Sequence, residues 1–114
     1  MEQELRRVYY DPELGVEACL FQGIDQGFPE HFHTYYVIGT MDRGSRKVTI
    51  AGETLRLAPG ELVFFQPGEP HACRPVGEER LDWRGLHVPQ EVMERAAEAV
   101  TGRRFAPHFT PPVL

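Results

Sequence analysis

The sequence predicts an all-β sandwich or barrel followed by one C-terminal α-helix. Three observations carry that reading. The chain spreads 11 glycines and 10 prolines through 114 residues, mostly between short β-prone runs, which is how sheet proteins punctuate their turns. Turn sequences then come in close succession, at Ala51-Gly52-Glu53, Ala58-Pro59-Gly60-Glu61 and Gln66-Pro67-Gly68-Glu69. After Pro89 the texture changes to Ala, Glu, Met and Arg, all good helix formers.

The residues before Val16 read as an N-terminal arm. Strands are expected near Val16–Phe21, Phe32–Thr40, Lys47–Ile50, Glu53–Leu57, Glu61–Phe65, His71–Arg74 and Leu81–Val88. Ala51-Gly52-Glu53 makes a hairpin of the two strands it joins. The apolar run Leu62-Val63-Phe64-Phe65 lies between two turns and is expected to be a buried strand. From Gln90 to Val100, the residues Val92, Met93, Ala96, Ala97 and Val100 recur at helical spacing and form an apolar stripe. Pro89 is a start signal for this helix and Gly102 a stop. The tail from Phe105 to Leu114 carries three prolines and should be extended. It closes on Pro111-Pro112-Val113-Leu114, an apolar end from which we expect the protein to continue. The expected division is therefore 1–88, barrel with arm, and 89–114, helix and tail.

Composition bounds the function. A net charge of −5 and a pI near 5.5 make this segment a poor nucleic-acid binder by itself. The pairs Arg6-Arg7 and Arg103-Arg104 are local and read as solvated surface. Cys19 and Cys73 stand far apart, and Met1 to Arg7 is polar rather than a secretory leader. Reduced thiols and a cytoplasmic location are expected. No apolar run approaches the ~20 residues of a membrane span, so no membrane partner is expected.

The chemistry concentrates in His31-Phe32-His33 and in Pro67-Gly68-Glu69-Pro70-His71. Residues i and i+2 of a strand share a face, so His31 and His33 should aim at one spot, with Tyr35, Val37, Gly39, Met41 and Arg43 following on that face. A β-bulge would break this parity. His71 and Cys73 should share a face of their strand, and Leu81, Trp83, Gly85 and His87 a face of theirs. A lone strand histidine is usually satisfied locally or exposed. The pair with His71 points instead to a shared pocket, suited to a divalent metal or a polar ligand. Cys73 alone would read as a small buried hydrophobe, Trp83 as core, and His87 and His108 as surface or packing residues. Glu30 and Glu69 flank the histidines but alternate away or sit on a turn.

These residues resemble the cupins. Gly27, His31, His33 and Gly44 loosely match that family's first motif, and Gly60, Gly68 and His71 its second, with Gln66 in the proline slot. The acidic ligand of the first motif would fall near Val37, where no carboxylate stands. Within cupins, the chain is similar to the N-terminal effector-binding domains of AraC-family transcription regulators. The likeness lies in His31-Phe32-His33-Thr34-Tyr35-Tyr36-Val37-Ile38-Gly39, in Pro59-Gly60-Glu61-Leu62-Val63-Phe64, in Pro67-Gly68-Glu69-Pro70-His71 and in Trp83-Arg84-Gly85-Leu86. It implies a double-stranded β-helix, a small-molecule pocket within it, and a homodimer formed through helices after the barrel. It also implies DNA contact through helix-turn-helix motifs that this segment does not supply.

Two functions follow. As a sensor, the chain would bind a small-molecule effector between His33, Tyr35, His71, Cys73 and Trp83, with no catalytic residue and no required cofactor. Arg43 would be placed to meet an anionic effector if parity held. As a small metal-dependent cupin enzyme of dioxygenase or isomerase type, it would hold Zn, Ni, Fe or Mn on His31, His33 and His71. The enzyme reading lacks an evident acid–base carboxylate, and the sensor is the expected function.

Overall fold

The turn glycines return the chain on itself at short intervals and build two facing antiparallel sheets. The computed structural model describes residues 3–114. Its strands are β1 (Leu5–Asp11), β2 (Val16–Ile24), β3 (Phe28–His31), β4 (Tyr36–Arg43), β5 (Arg46–Ile50), β6 (Glu53–Leu57), β7 (Leu62–Phe65), β8 (His71–Pro75) and β9 (Leu81–Val88), followed by helix α1 (Gln90–Thr101). One sheet has the order β1-β2-β9-β4-β7 and the other β3-β8-β5-β6. The chain passes between sheets at most of its connections, so inward-facing residues of both sheets meet in one core. Ile24, Val37, Met41, Val48, Ile50, Leu57, Val63, Phe65 and Leu81 form it.

Local chemistry explains the elements. Ala51 and Gly52 both adopt positive φ, at 50° and 81°. This is the two-residue turn whose twist suits a hairpin, and Ile50 pairs with Glu53 across it. Helix α1 begins after Pro89 and ends on Gly102 in the left-handed conformation, matching both sequence signals. Among the described residues no helix is long and apolar enough to cross a membrane.

The structure departs from the sequence reading in four places. The arm contains β1, which pairs along its whole length with β2. Its outer position leaves Val8, Tyr9 and Tyr10 exposed, so neither face carries a burial pattern to read. The expected strand Phe32–Thr40 begins late: residues 32–35 cross between the sheets, β4 runs from Tyr36 to Arg43, and the short strand β3, which ends at His31, precedes the crossover. In β7, Leu62 is exposed while Val63 and Phe65 are buried, so the run alternates instead of being buried throughout. On α1 only Met93 is buried, and Val100, 86% exposed, leaves the far end of the stripe uncovered by this chain.

The tail after α1 has no regular structure beyond one bridge, and it is tied down. Leu62 and Leu114 exchange two backbone hydrogen bonds of 2.8 Å, and the Phe64 amide donates to the Pro112 carbonyl. Gln66, the residue in the proline slot, grips the tail by its amide: Nε2 donates to the Pro107 carbonyl and Oε1 accepts from the Phe109 amide. The Tyr36 hydroxyl also donates to Pro107, and the Phe109 ring sits against Tyr36 and Phe64.

Gly39 and Gly85 are cross-strand partners of β4 and β9, and the Trp83 indole lies where their side chains would be. A Cβ at position 39 would sit within the indole ring. Gly39→Ala should therefore destabilise the fold by about 2 kcal/mol, in the range of overpacking. Denaturant unfolding followed by Trp83 emission checks this, and an unchanged midpoint would show the indole free to move aside.

Candidate functional site

Between the sheets lies a cavity of about 330 Å³, at the small end of ligand pockets. Its wall is largely apolar, with Phe21, Phe28, Val37, Met41, Val48, Leu57, Val63, Phe65, Leu81 and Trp83. The polar lining is His31, His33, His71, His87, Cys73, Arg6 and Arg46, with no carboxylate among the described lining residues.

The three expected histidines converge. His31 ends β3, His71 opens β8, and the two are register partners. His33 lies beyond the strand, in the crossover, where its carbonyl accepts from the Gly68 amide. Strand parity therefore does not place it; the crossover turns its ring back. Ring centroids are 4.5 Å apart for His31–His71, 4.8 Å for His31–His33 and 5.1 Å for His33–His71. Phe65 stacks on His71 at 3.8 Å and fixes its plane.

Second partners set the tautomers of two rings. Nδ1 of His31 donates to the Pro29 carbonyl at 2.7 Å, and Nδ1 of His71 to the Glu69 carbonyl at 3.0 Å. A carbonyl only accepts, so each Nδ1 carries a proton, and in the neutral ring the lone pair falls on Nε2. Burial, with the neighbouring His71, His31 and His87, holds the His33 pKa down to about 4. Burial also lowers His71, against a partial rise from its bond to the Glu69 backbone. Both rings are thus neutral near pH 7 and offer lone pairs. One ligand atom from each of the three lies within 4.8 Å of the others. Ligation at about 2.1 Å would need roughly 3.4 Å between nitrogens, so the three rings could hold a divalent ion once the widest separation closes by roughly 1.4 Å.

Cys73 and Trp83 also line the cavity, but Tyr35 does not. Its ring stacks at 4.8 Å on both His33 and His87, backing the histidines rather than facing the lumen. Arg43 is turned away as well. The register shifts between Met41 and Arg43, and Arg43 pairs with Asp82 at 3.0 Å.

Sequence reasoning missed three groups. His87, read as surface or packing, lines the cavity and holds Glu17 at 2.8 Å through Nδ1, with Cys19 Sγ 3.8 Å from its Nε2. Its place on the face of Leu81 and Trp83 was the available signal. Burial pushes the Cys19 thiol up, so it faces the imidazole as a neutral thiol. Arg6 lies against Phe21 at the cavity wall. Arg46 is 0% exposed, and no sequence signal separates it from a solvated arginine beside a turn.

Comparisons place these features among known proteins. Residues 14–113 match the family model of the AraC-like ligand binding domain. The chain is 39% identical over 114 residues to an uncharacterized HTH-type transcriptional regulator, YbfI of Bacillus subtilis strain 168, and spans 42% of that relative's length. Among solved structures, the cupin domain of Schizosaccharomyces pombe Cnp3 is similar with a TM-score of 0.67 and 14% identity, over 95% of this chain and 77% of that one. A cupin superfamily protein of Desulfitobacterium hafniense gives 0.64 and 16%, over 76% of this chain and 78% of its own. These likenesses give the fold, a double-stranded β-helix.

Acid should unfold this protein partly through the histidines. His33 binds its proton more weakly folded, near 4, than at its ordinary 6.5. The unfolded chain therefore takes up more protons between those values, and stability falls as pH drops from 6.5 toward 4. His33→Gln should flatten that part of the melting-temperature profile, measured with a chelator present. An identical slope in the variant would assign the acid sensitivity to other groups.

Proposed function

The chain belongs to the AraC-like ligand binding domain family, and on that premise we propose that it is the small-molecule-sensing part of a transcription regulator. The observation that carries the reading is the cavity itself. It joins an apolar wall to convergent neutral imidazoles and, among the described residues, is lined by no carboxylate that would serve turnover. In this reading the ligand's apolar body packs against Trp83 and Phe28, and His31, His33 and His71 accept hydrogen bonds from its polar end. Cys73 lines the same space. Residues 1–88 form the sensing barrel, and 89–114 lead toward a DNA-contacting part of the whole protein. The uncovered stripe of α1 around Val100 suits pairing with a second copy.

A physically continuous path from pocket to tail supports a sensing role. The turn after β7 donates the Gly68 amide to His33, accepts His71 through Glu69, and holds the tail through Gln66. A ligand that settles the histidine rings settles this turn, and the turn holds Pro107 and Phe109. Ligand binding thus shifts an existing balance of tail positions.

One observation favours a second role for the same rings. The carbonyl partners of His31 and His71 leave both Nε2 atoms as free lone pairs, the arrangement seen behind metal-ligating imidazoles. His31, His33 and His71 would hold the ion, which would supply a Lewis-acid anchor for the ligand's polar group.

Trp83 is the sole tryptophan, so its emission reports on the lumen directly. A metabolite library screened by Trp83 emission and thermal shift should yield ligands that act on chelator-treated protein. If binding instead requires added Zn, Ni, Fe or Mn, and His71→Ala abolishes uptake of the metal, the anchored reading holds. A library without any hit in either condition would sink the sensing reading. Gln66→Ala should leave ligand affinity within about threefold while removing ligand-dependent protection of the Phe109 amide in hydrogen exchange. Protection that survives the substitution would break the link between pocket and tail.

A further inference from the structure

We propose that the ligand of this cavity is an organic acid, with an apolar body and a carboxylate received by the buried Arg46. The inference rests on the sensing reading above and adds to it the chemical class of the ligand.

Arg46 opens β5, and its side chain points inward with Val48 and Ile50, on the face that lines the core. It is wholly buried and touches the cavity. Two of its nitrogens donate to backbone carbonyls, Nη1 to Gln26 at 2.7 Å and Nη2 to Ile24 at 3.0 Å. Nε has no hydrogen-bond partner, and no ion pair reaches the group among the described residues.

Holding two carbonyls explains two donors and nothing more. A neutral amide side chain would serve that purpose without placing a charge in the core. A guanidinium cannot shed its proton to escape burial as a histidine does, and a buried cation without an anion is costly. The lining holds no carboxylate to offset that charge among the described residues; its other polar groups are Arg6, four histidines and the Cys73 thiol. The charge is felt at the wall, since Arg46 pulls back part of the rise that burial imposes on the Cys73 thiol.

The unused Nε–H and an adjacent Nη–H form the fork that receives a carboxylate side-on. Because the group is shielded from solvent, an anion must arrive dehydrated. That favours a carboxylate over the more strongly hydrated phosphate or sulfate.

Register gives the ligand its polarity. Arg46 pairs with Pro75, Val48 with Cys73 and Ile50 with His71. The arginine and the histidine cluster therefore lie four residues apart along the strands, roughly 13 Å at backbone level. Apolar side chains, among them Val48 and Trp83, line the space between. The acid goes to the arginine end, the apolar body fills the middle, and the histidine cluster, with His71 buried and His31 and His33 half-buried, takes whatever donor the other end carries.

The test uses chelator-treated wild-type chain and matched probes: octanoate, 4-methylpentanoate and 3-phenylpropanoate, each beside its primary amide. Binding is read by Trp83 emission and thermal shift. At least one acid should bind about 10- to 100-fold more tightly than its amide, the range of a charge-assisted hydrogen bond. Arg46→Gln should bring the pair within about threefold of each other. In isotope-labelled wild-type protein, the Arg46 Nε–H resonance should shift with the acid and not with the amide, which needs no variant if Arg46→Gln fails to fold. Equal binding of acid and amide overturns the proposal and leaves the sensing pocket standing. Binding of neither overturns both. An acid preference that persists in folded Arg46→Gln, or an unmoved Nε–H resonance, overturns the assignment to Arg46.

Discussion

The indole of Trp83, laid over a pair of glycines, is the constraint from which the rest of the lumen follows. Gly39 and Gly85 face each other across β4 and β9, and both would collide with the indole if they carried a Cβ. Removing two side chains at one register position opens a slot in an otherwise packed wall, and the largest side chain of the chain fills it. Cys19 closes the slot from β2, within van der Waals reach of the position a Gly85 Cβ would take. The inward face of β9 is then fixed in order, with Leu81 below the indole and His87 beyond it. His87 in turn positions Glu17 on β2 and Tyr35 on the crossover. One close approach of backbone to ring thus sets the middle of the five-stranded sheet and one side of the pocket mouth.

The mouth has a second organising feature, the crowding of imidazoles. Each ring lies within about 5 Å of another, and two are backed by aromatic faces. Burial and mutual repulsion act in the same direction on His33 and His71, against charge. His33 and His71 give up their protons and keep their lone pairs. Backbone carbonyls then decide which nitrogen is left free, through bonds made two residues upstream in both His31 and His71. The repeated local geometry explains why two histidines on different strands present the same atom.

Much of this was legible in the sequence, for reasons that also mark its limits. Most strand runs, the Ala51-Gly52 hairpin and the limits of the helix are local chemistry, and the structure agrees with them; the run from Phe32 is the exception. The convergence of His31, His33 and His71 was foreseen, yet by an incomplete argument: pairing of β3 with β8 brings His31 to His71, and an irregular crossover delivers His33. Parity placed Val37 and Met41 correctly and failed at Arg43, where the register shifts. It failed for Tyr35 too, which lies in the crossover. Strand β1 left no trace because neither of its faces is buried. Arg46 was invisible for the opposite reason. Its burial depends on two carbonyls, Ile24 and Gln26, about twenty residues away in sequence, and a basic residue beside a turn gives no hint of them.

The two arginines show how a single bulge divides roles along one connection. Arg43 and Arg46 stand three residues apart, on either side of the Gly44 turn. The irregularity in β4 turns the first toward Asp82, where its charge is matched. The second begins a new strand in the opposite sheet and enters the core with its charge unmatched by any described carboxylate. The histidines at the mouth meet the same low-dielectric interior, but they can yield by losing a proton, whereas a guanidinium cannot. The lumen is consequently polar in a fixed sense, with the histidine cluster at one end and an obligate cation at the other. That asymmetry is written by the register of β5 on β8 and not by composition, since the chain as a whole is acidic.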